Sequence, residues 1–246
     1  MCFDPDSEPP VAASGAAVRT ERVVLTASDG NRFDAFDAAP EEAAQTAVIV
    51  LPDVRGLFRF YEELAVRLAE QGHRSIAIDY FGRTAGTGSR DDDFDFASHV
   101  EQTTYSGLVA DVTATVERLH PAHERIYVVG FCFGGSNAWH LAGESLGLAG
   151  VIGFYGHPDR DKPTGSGTVI DRVPRMEGRV LALMAGEDHM ITSDMVERFE
   201  IALEAAGVDH EVVTYPGAPH SFFDRKQAEY TGESADAWAR MLAFIT

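Results

Sequence analysis

The residues most able to do chemistry centre on Gly130-Phe131-Cys132-Phe133-Gly134, which lies between an apolar run, "RIYVVG", and a helical one. In that setting the pattern glycine, any residue, nucleophile, any residue, glycine is a nucleophile elbow. The turn is so tight that side chains flanking the nucleophile would strike backbone, so the glycines leave room. The nucleophile itself is held strained and exposed. Amides of the helix that starts there favour an anionic sulfur. A buried structural cysteine could share the same pentapeptide, so the partners decide. An elbow needs an acid and a histidine, supplied from later strand ends in that order. The strand "VLALMAG" runs into Glu187-Asp188, and the strand "EVVTYPG" runs into "APHSFFD", which carries His220. Of the other histidines, His73, His120, His123 and His210 lie near turns or strand starts, and His140 falls within the helix after the elbow. His99, His157 and His189 could line a site, but none follows the last strand.

These residues need elements to position them. "ERVVLTASDGNRFDAFDAAP" alternates apolar and polar residues around Asp29-Gly30, which predicts a hairpin of two edge strands. "TAVIVLP" reads as a strand buried on both faces, and the spacing of Phe60, Leu64, Ala65 and Leu68 predicts an amphipathic helix after it. Strand and helix signals then alternate: "RSIAIDY", "YSGLVADVTATVERLH", "RIYVVG", a helix from about Ser136, "LAGVIGFYG", "RVLALMAG", "SDMVERFEIALEAAG", "HEVVTYPG" and "ADAWARMLAFI". That order predicts an α/β fold, a mostly parallel central sheet with helices on both faces. Two long connections, 81–104 and 157–178, are expected to shape the pocket. No repeat or internal boundary interrupts the pattern, so residues 19–246 read as one domain behind a flexible segment, 1–18.

Composition limits the partners. The chain has 246 residues, a hydrophobic content of 45% and a formal net charge of -19, enough for one large core and repulsive to phosphate backbones and anionic lipid. The 20 Lys and Arg are scattered, so neither nucleic acid nor membrane is an expected partner. The acid surplus fits ordinary solubility or adaptation to high salt. The two cysteines, Cys2 and Cys132, argue against a disulfide framework and for a reducing, cytoplasmic setting. The start "MCFDPDSEPP" lacks the basic and apolar runs of a signal peptide, and Cys2, with no base nearby in sequence, reads as an incidental thiol.

Four blocks together, "LPDVRGLFRFYEELAVRLAEQG", "GFCFGG", "AGEDHMIT" and "PGAPHSF", resemble the dienelactone hydrolase family of the α/β-hydrolase fold. The resemblance implies Cys132 as nucleophile, His220 as general base and acid, and Asp188 as the carboxylate orienting it. It also implies an oxyanion hole from the backbone N–H groups of Val54 and Phe133. Family members carry a glutamate where this chain has Asp53, a residue that would hold or receive the thiol proton; the competing reading is a turn-capping aspartate after Pro52. Family members with dienelactone activity can also carry an arginine where this chain has Asp224. Arg83, Arg90 and Arg225 are the candidates to hold a substrate carboxylate, or else are solvated loop charges. The implied activity is hydrolysis of a small ester or lactone by a monomer with no metal or cofactor, most naturally a dienelactone opened to maleylacetate. Other activated esters or thioesters, and a non-catalytic binding module, are the alternatives.

Overall fold

The computed structural model describes residues 7–11, 15–90, 94–161 and 167–246; Cys2 lies outside them. The eight strands are β1 (Val18–Thr26), β2 (Arg32–Pro40), β3 (Thr46–Leu51), β4 (Arg74–Ile78), β5 (Arg125–Phe131), β6 (Gly150–Phe154), β7 (Arg179–Glu187) and β8 (His210–Pro219). They form one sheet in the order β1-β2-β4-β3-β5-β6-β7-β8. β2 runs antiparallel to β1 and to β4, and every later neighbour pair is parallel.

Strands β3 and β6 are buried along their whole length, as expected of parallel strands covered on both faces. On one face lie α1 (Arg59–Glu70) and α8 (Thr231–Ile245), which bury Phe60, Leu64 and Leu68 with Trp238 and Met241. On the other lie α4 (Tyr105–Leu119), α5 (Phe133–Leu141) and α7 (Ser193–Ala206), packing Leu108, Val112, Trp139, Phe199 and Leu203. The connection after β4 holds α2 (Gly82–Ala85) and α3 (Phe96–Gln102). The connection after β6 holds α6 (Val169–Arg172) and a short 3-10 turn at Val173–Arg175. Among the described residues no helix is long and apolar enough to cross a membrane.

Three expectations need correction. Of the two hairpin strands only β1 lies at the edge of the sheet, because β2 pairs with β4 through Ala35–Ala38 on its other side. Asp37, buried by that pairing, is held by Arg74 at 2.7 Å and by Arg118 at 3.3 Å. The helix after the elbow begins at Phe133, three residues earlier than its sequence predicts. Gly134 and Gly135 have poor helix propensity, but tight packing overrides it. The last helix likewise begins at Thr231 rather than near Ala235, and its first turn is pinned where buried Ser234 donates to the Phe222 carbonyl at 3.3 Å.

Candidate active site

Cys132 sits at the junction of β5 and α5 with φ 54° and ψ -112°. Its N–H donates to the Phe154 carbonyl at 3.0 Å, and its carbonyl accepts from Ser136 N–H at 3.1 Å. The flanking glycines are required by contact: a Cβ on Gly130 would overlap the Gly134 carbonyl, and one on Gly134 would overlap the Leu51 and Pro52 carbonyls. The second approach brings the start of α5 against the turn that follows β3, and so Phe133 near Val54. Both residues line the cavity in front of Cys132. Val54 N–H donates to no group among the described residues. Tyr80 holds this turn from behind, its hydroxyl reaching the Pro52 carbonyl at 2.9 Å and the Asp53 carbonyl.

Asp188 follows β7, and its buried carboxylate is shared. Oδ1 accepts from Met190 N–H at 2.9 Å and Ile191 N–H at 3.3 Å, while Oδ2 lies 2.6 Å from His220 Nδ1. Burial pushes the Asp188 carboxyl up, but the His220 bond and the two amides outweigh it and leave it below the usual value. Burial likewise opposes a charge on His220. The Asp188 bond and then the neighbouring Cys132 outweigh that too, raising the imidazole to about 10. Nδ1 therefore carries the proton facing Asp188. His220 Nε2, with Cys132 beside it, makes no well-formed hydrogen bond among the described residues, a common state before substrate tightens such contacts.

Backbone strain converges here. Among the described residues only three non-glycines have positive φ: Cys132, Tyr155 at 37° and Ser221 at 64°. Ser221 adjoins His220, and the Tyr155 ring lies 5.0 Å from the imidazole. Such strain, of order 1–3 kcal/mol per residue, persists where surrounding packing imposes it, typically at functional sites.

The cavity has a volume of about 250 Å³ and is lined by residues from both long connections, including Val100, Glu101, Thr103, His157 and Arg160. Asp53 does not line it. Its buried carboxylate accepts from Arg55 N–H at 2.9 Å, from Arg55 Nε at 3.1 Å and from Arg225 Nε at 2.9 Å. Burial raises its pKa, but the two guanidiniums overcome that and hold it low. Asp53 thus caps its own turn through the Arg55 amide and is ion-paired with two arginines, which fits one of its two sequence readings. The three arginines suggested for a substrate carboxylate do not line the cavity either. Arg225 is bound to Asp53, Arg90 to Asp79 at 2.6 Å, and Arg83 to Asp111 at 2.8 Å and to Asp29. Arg55, Tyr80, Tyr155 and Arg160 were not singled out by sequence. Only Arg160 carried a signal, its place in the connection 157–178.

Residues 33–246 match the family model for the dienelactone hydrolase family. A provisionally named carboxymethylenebutenolidase of Escherichia coli (strain K12) is 29% identical over 234 residues, 89% of this chain and 83% of that protein. The crystal structure of a provisionally named dienelactone hydrolase from Klebsiella pneumoniae superposes with a TM-score of 0.84 at 28% identity, covering 93% of this chain and 98% of that one. A dienelactone hydrolase-like promiscuous phosphotriesterase from metagenomic libraries, at 21% identity and a TM-score of 0.77 over 93% of this chain and 98% of its own, shares the fold. With the family match spanning the sheet from β2 onward and every part of the site, the chain belongs to the dienelactone hydrolase family of carboxylic ester hydrolases.

Proposed function

We propose that this hydrolase works through Cys132, with His220 as base and acid and Asp188 as the carboxylate that orients it. The observation that carries the reading is the 2.6 Å His220–Asp188 contact, with His220 and Cys132 lining one cavity. The sulfur attacks an ester or lactone carbonyl, and the Val54 and Phe133 amides stabilise the charge that develops on its oxygen. Collapse of the tetrahedral intermediate breaks the ester C–O bond, His220 gives its proton to the departing oxygen, and a thioester to Cys132 remains. Acylation removes the free sulfur of Cys132, whose proximity is one of the causes raising His220. The imidazole's pKa falls at the step where it must take a proton from water. That water attacks the thioester, and the acid leaves with regeneration of the Cys132–His220 pair.

A thiolate is itself a good leaving group, so the first intermediate reverts unless the substrate's own leaving group is also good. An enol lactone releases a resonance-stabilised enolate, and ring opening of a dienelactone to maleylacetate meets this demand. A second reading, hydrolysis of other activated esters or thioesters, is favoured by the absence of Arg83, Arg90 and Arg225 from the cavity lining. A panel of cis- and trans-dienelactone, nitrophenyl esters and thioesters separates the two readings. Cys132→Ala is expected to lose turnover of every active substrate by about 10⁴-fold or more. Retained turnover in that variant contradicts the assignment of Cys132.

A further inference from the structure

We propose that Tyr105 sets the length of acyl chain this site accepts, closing the far end of an apolar pocket for short, uncharged acyl groups; the inference rests on the ester-hydrolase reading above and narrows its substrate class. Cys132 divides the cavity. It follows β5, which lies between β3 and β6 in the sheet. On one side the wall comes from the connections after β6, β7 and β8, with Met190, Ile191 and His220; on the other it comes from the connection after β4 and the first turn of α4, with Val100, Tyr105 and Leu108. In the proposed mechanism His220 gives its proton to the departing oxygen, so the leaving group lies on the His220 side. The acyl group occupies the other bond of the same carbonyl carbon and points to the side of Val100, Leu108 and Tyr105.

That side offers little to a charged chain. Leu108 is buried and Val100 half-buried. The Thr103 hydroxyl is engaged by the His99 carbonyl at 3.0 Å, and the Thr104 hydroxyl accepts from Gly107 N–H at 3.2 Å. Among the described lining residues the charged one on this side is Glu101, which is exposed and repels an anionic chain end. Tyr105 itself is firmly held. Its hydroxyl donates to the His140 carbonyl at 2.8 Å with the Glu144 carboxylate at 3.1 Å, its ring centroid lies 5.3 Å from that of His140, and the Arg172 guanidinium, ion-paired with Glu144, sits 4.8 Å over its face. Burial raises the phenol's pKa, so the hydroxyl keeps the proton it donates. His140 lies eight residues beyond Cys132 along α5, roughly 12 Å at about 1.5 Å per residue. The anchored phenol therefore marks the end of the cavity far from the sulfur. A ring fixed in this way does not yield to a longer chain, and overfilling a packed wall is penalised. The cavity volume of about 250 Å³, small beside ordinary ligand pockets of roughly 300–1,000 Å³, leaves room for a short chain only.

The p-nitrophenyl esters of acetic, butanoic, hexanoic and decanoic acids share one leaving group, so their kcat/KM values report the acyl pocket. In wild type each methylene that fits is expected to add about fourfold, with the maximum at butanoate or hexanoate and decanoate about tenfold or more below it. Tyr105→Ala is expected to raise the decanoate-to-butanoate ratio about tenfold or more. Tyr105→Leu, which keeps an apolar side chain in the wall, is expected to raise it by a smaller factor, about threefold or more. Tyr105→Phe keeps the ring and should keep the wild-type maximum. Acetates of 4-alkylphenols carry the chain on the leaving group instead, and should change by less than about twofold across the variants. Wild-type activity that does not fall at decanoate, an unchanged ratio in Tyr105→Ala or Tyr105→Leu, a maximum that moves in Tyr105→Phe, or a response confined to the 4-alkylphenyl acetates overturns the proposal. Cys132→Ala run on the same esters keeps the two claims separate: turnover there contradicts the nucleophile assignment, while the ratio across the Tyr105 variants still decides the role of Tyr105.

Discussion

In the proposed mechanism Cys132, His220 and Asp188 divide the chemistry by environment. Asp188 is buried yet satisfied by two amides and an imidazole, so it remains a carboxylate and holds His220 in one orientation. The pair also has a pH signature. The His220 pKa rises from 6.5 to about 10 in the folded chain, so its contribution to stability is complete below about 6.5 and is lost as pH climbs toward about 10. Asp188, with a lowered pKa, contributes above its ordinary carboxylate range and loses that contribution on acidification. Thermal unfolding of Asp188→Asn is therefore expected to depend less on pH than that of wild type between about 6.5 and 10. Its kcat/KM should fall on the order of 10³- to 10⁴-fold. A wild-type slope in the variant contradicts the assigned pairing. These three residues were legible because each follows a strand whose apolar run is unmistakable. The environment of Asp53 was not, since its partner Arg225 lies 172 positions away and no local pattern reports such a contact.

At the scale of elements, buried ion pairs join the turn after β3 to the connection after β8. Asp53 and Arg55 flank Val54 and meet Arg225 and Asp224, while Tyr61 on α1 donates to Asp224 at 2.6 Å. The loop that carries Val54, the proposed oxyanion donor, is thereby tied to the loop that carries His220. Arg225→Met removes one partner of a fully buried carboxylate. It is expected to destabilise the fold by about 3 kcal/mol, the lower end for a broken buried pair because Arg55 remains. The urea midpoint measures this, and a shift below about 1 kcal/mol contradicts the clamp. The hairpin, the parallel strands and α1 were readable from period and turn chemistry. The place of β2 was not, because alternation reports which face is buried but not which strand takes the second edge. The start of α5 was misread for a different reason: glycine propensity disfavours the helix that close packing against Leu51 and Pro52 requires.

At the scale of the whole molecule, one sheet brings the ends of β3, β5, β6, β7 and β8 to a common edge, the usual location of ligand sites in open α/β sheets. The two long connections then cover that edge and wall the cavity. Their lengths were visible in the sequence, but which of their side chains face inward depends on packing with no period to read. The net charge of -19 also acts at this scale. Self-repulsion opposes the compact state, so the Tm is expected to rise between about 0.02 and about 0.5 M sodium chloride. A flat or falling Tm contradicts net repulsion as a factor in stability.

The most direct test of the nucleophile is mass spectrometry of protein quenched in acid during turnover of p-nitrophenyl acetate, followed by peptide mapping. The account predicts one acetyl group, labile to hydroxylamine, on the peptide containing Cys132, and none in Cys132→Ala. An acetyl group mapped to Cys2 or to a serine, or full turnover with Cys132 never modified, would contradict it.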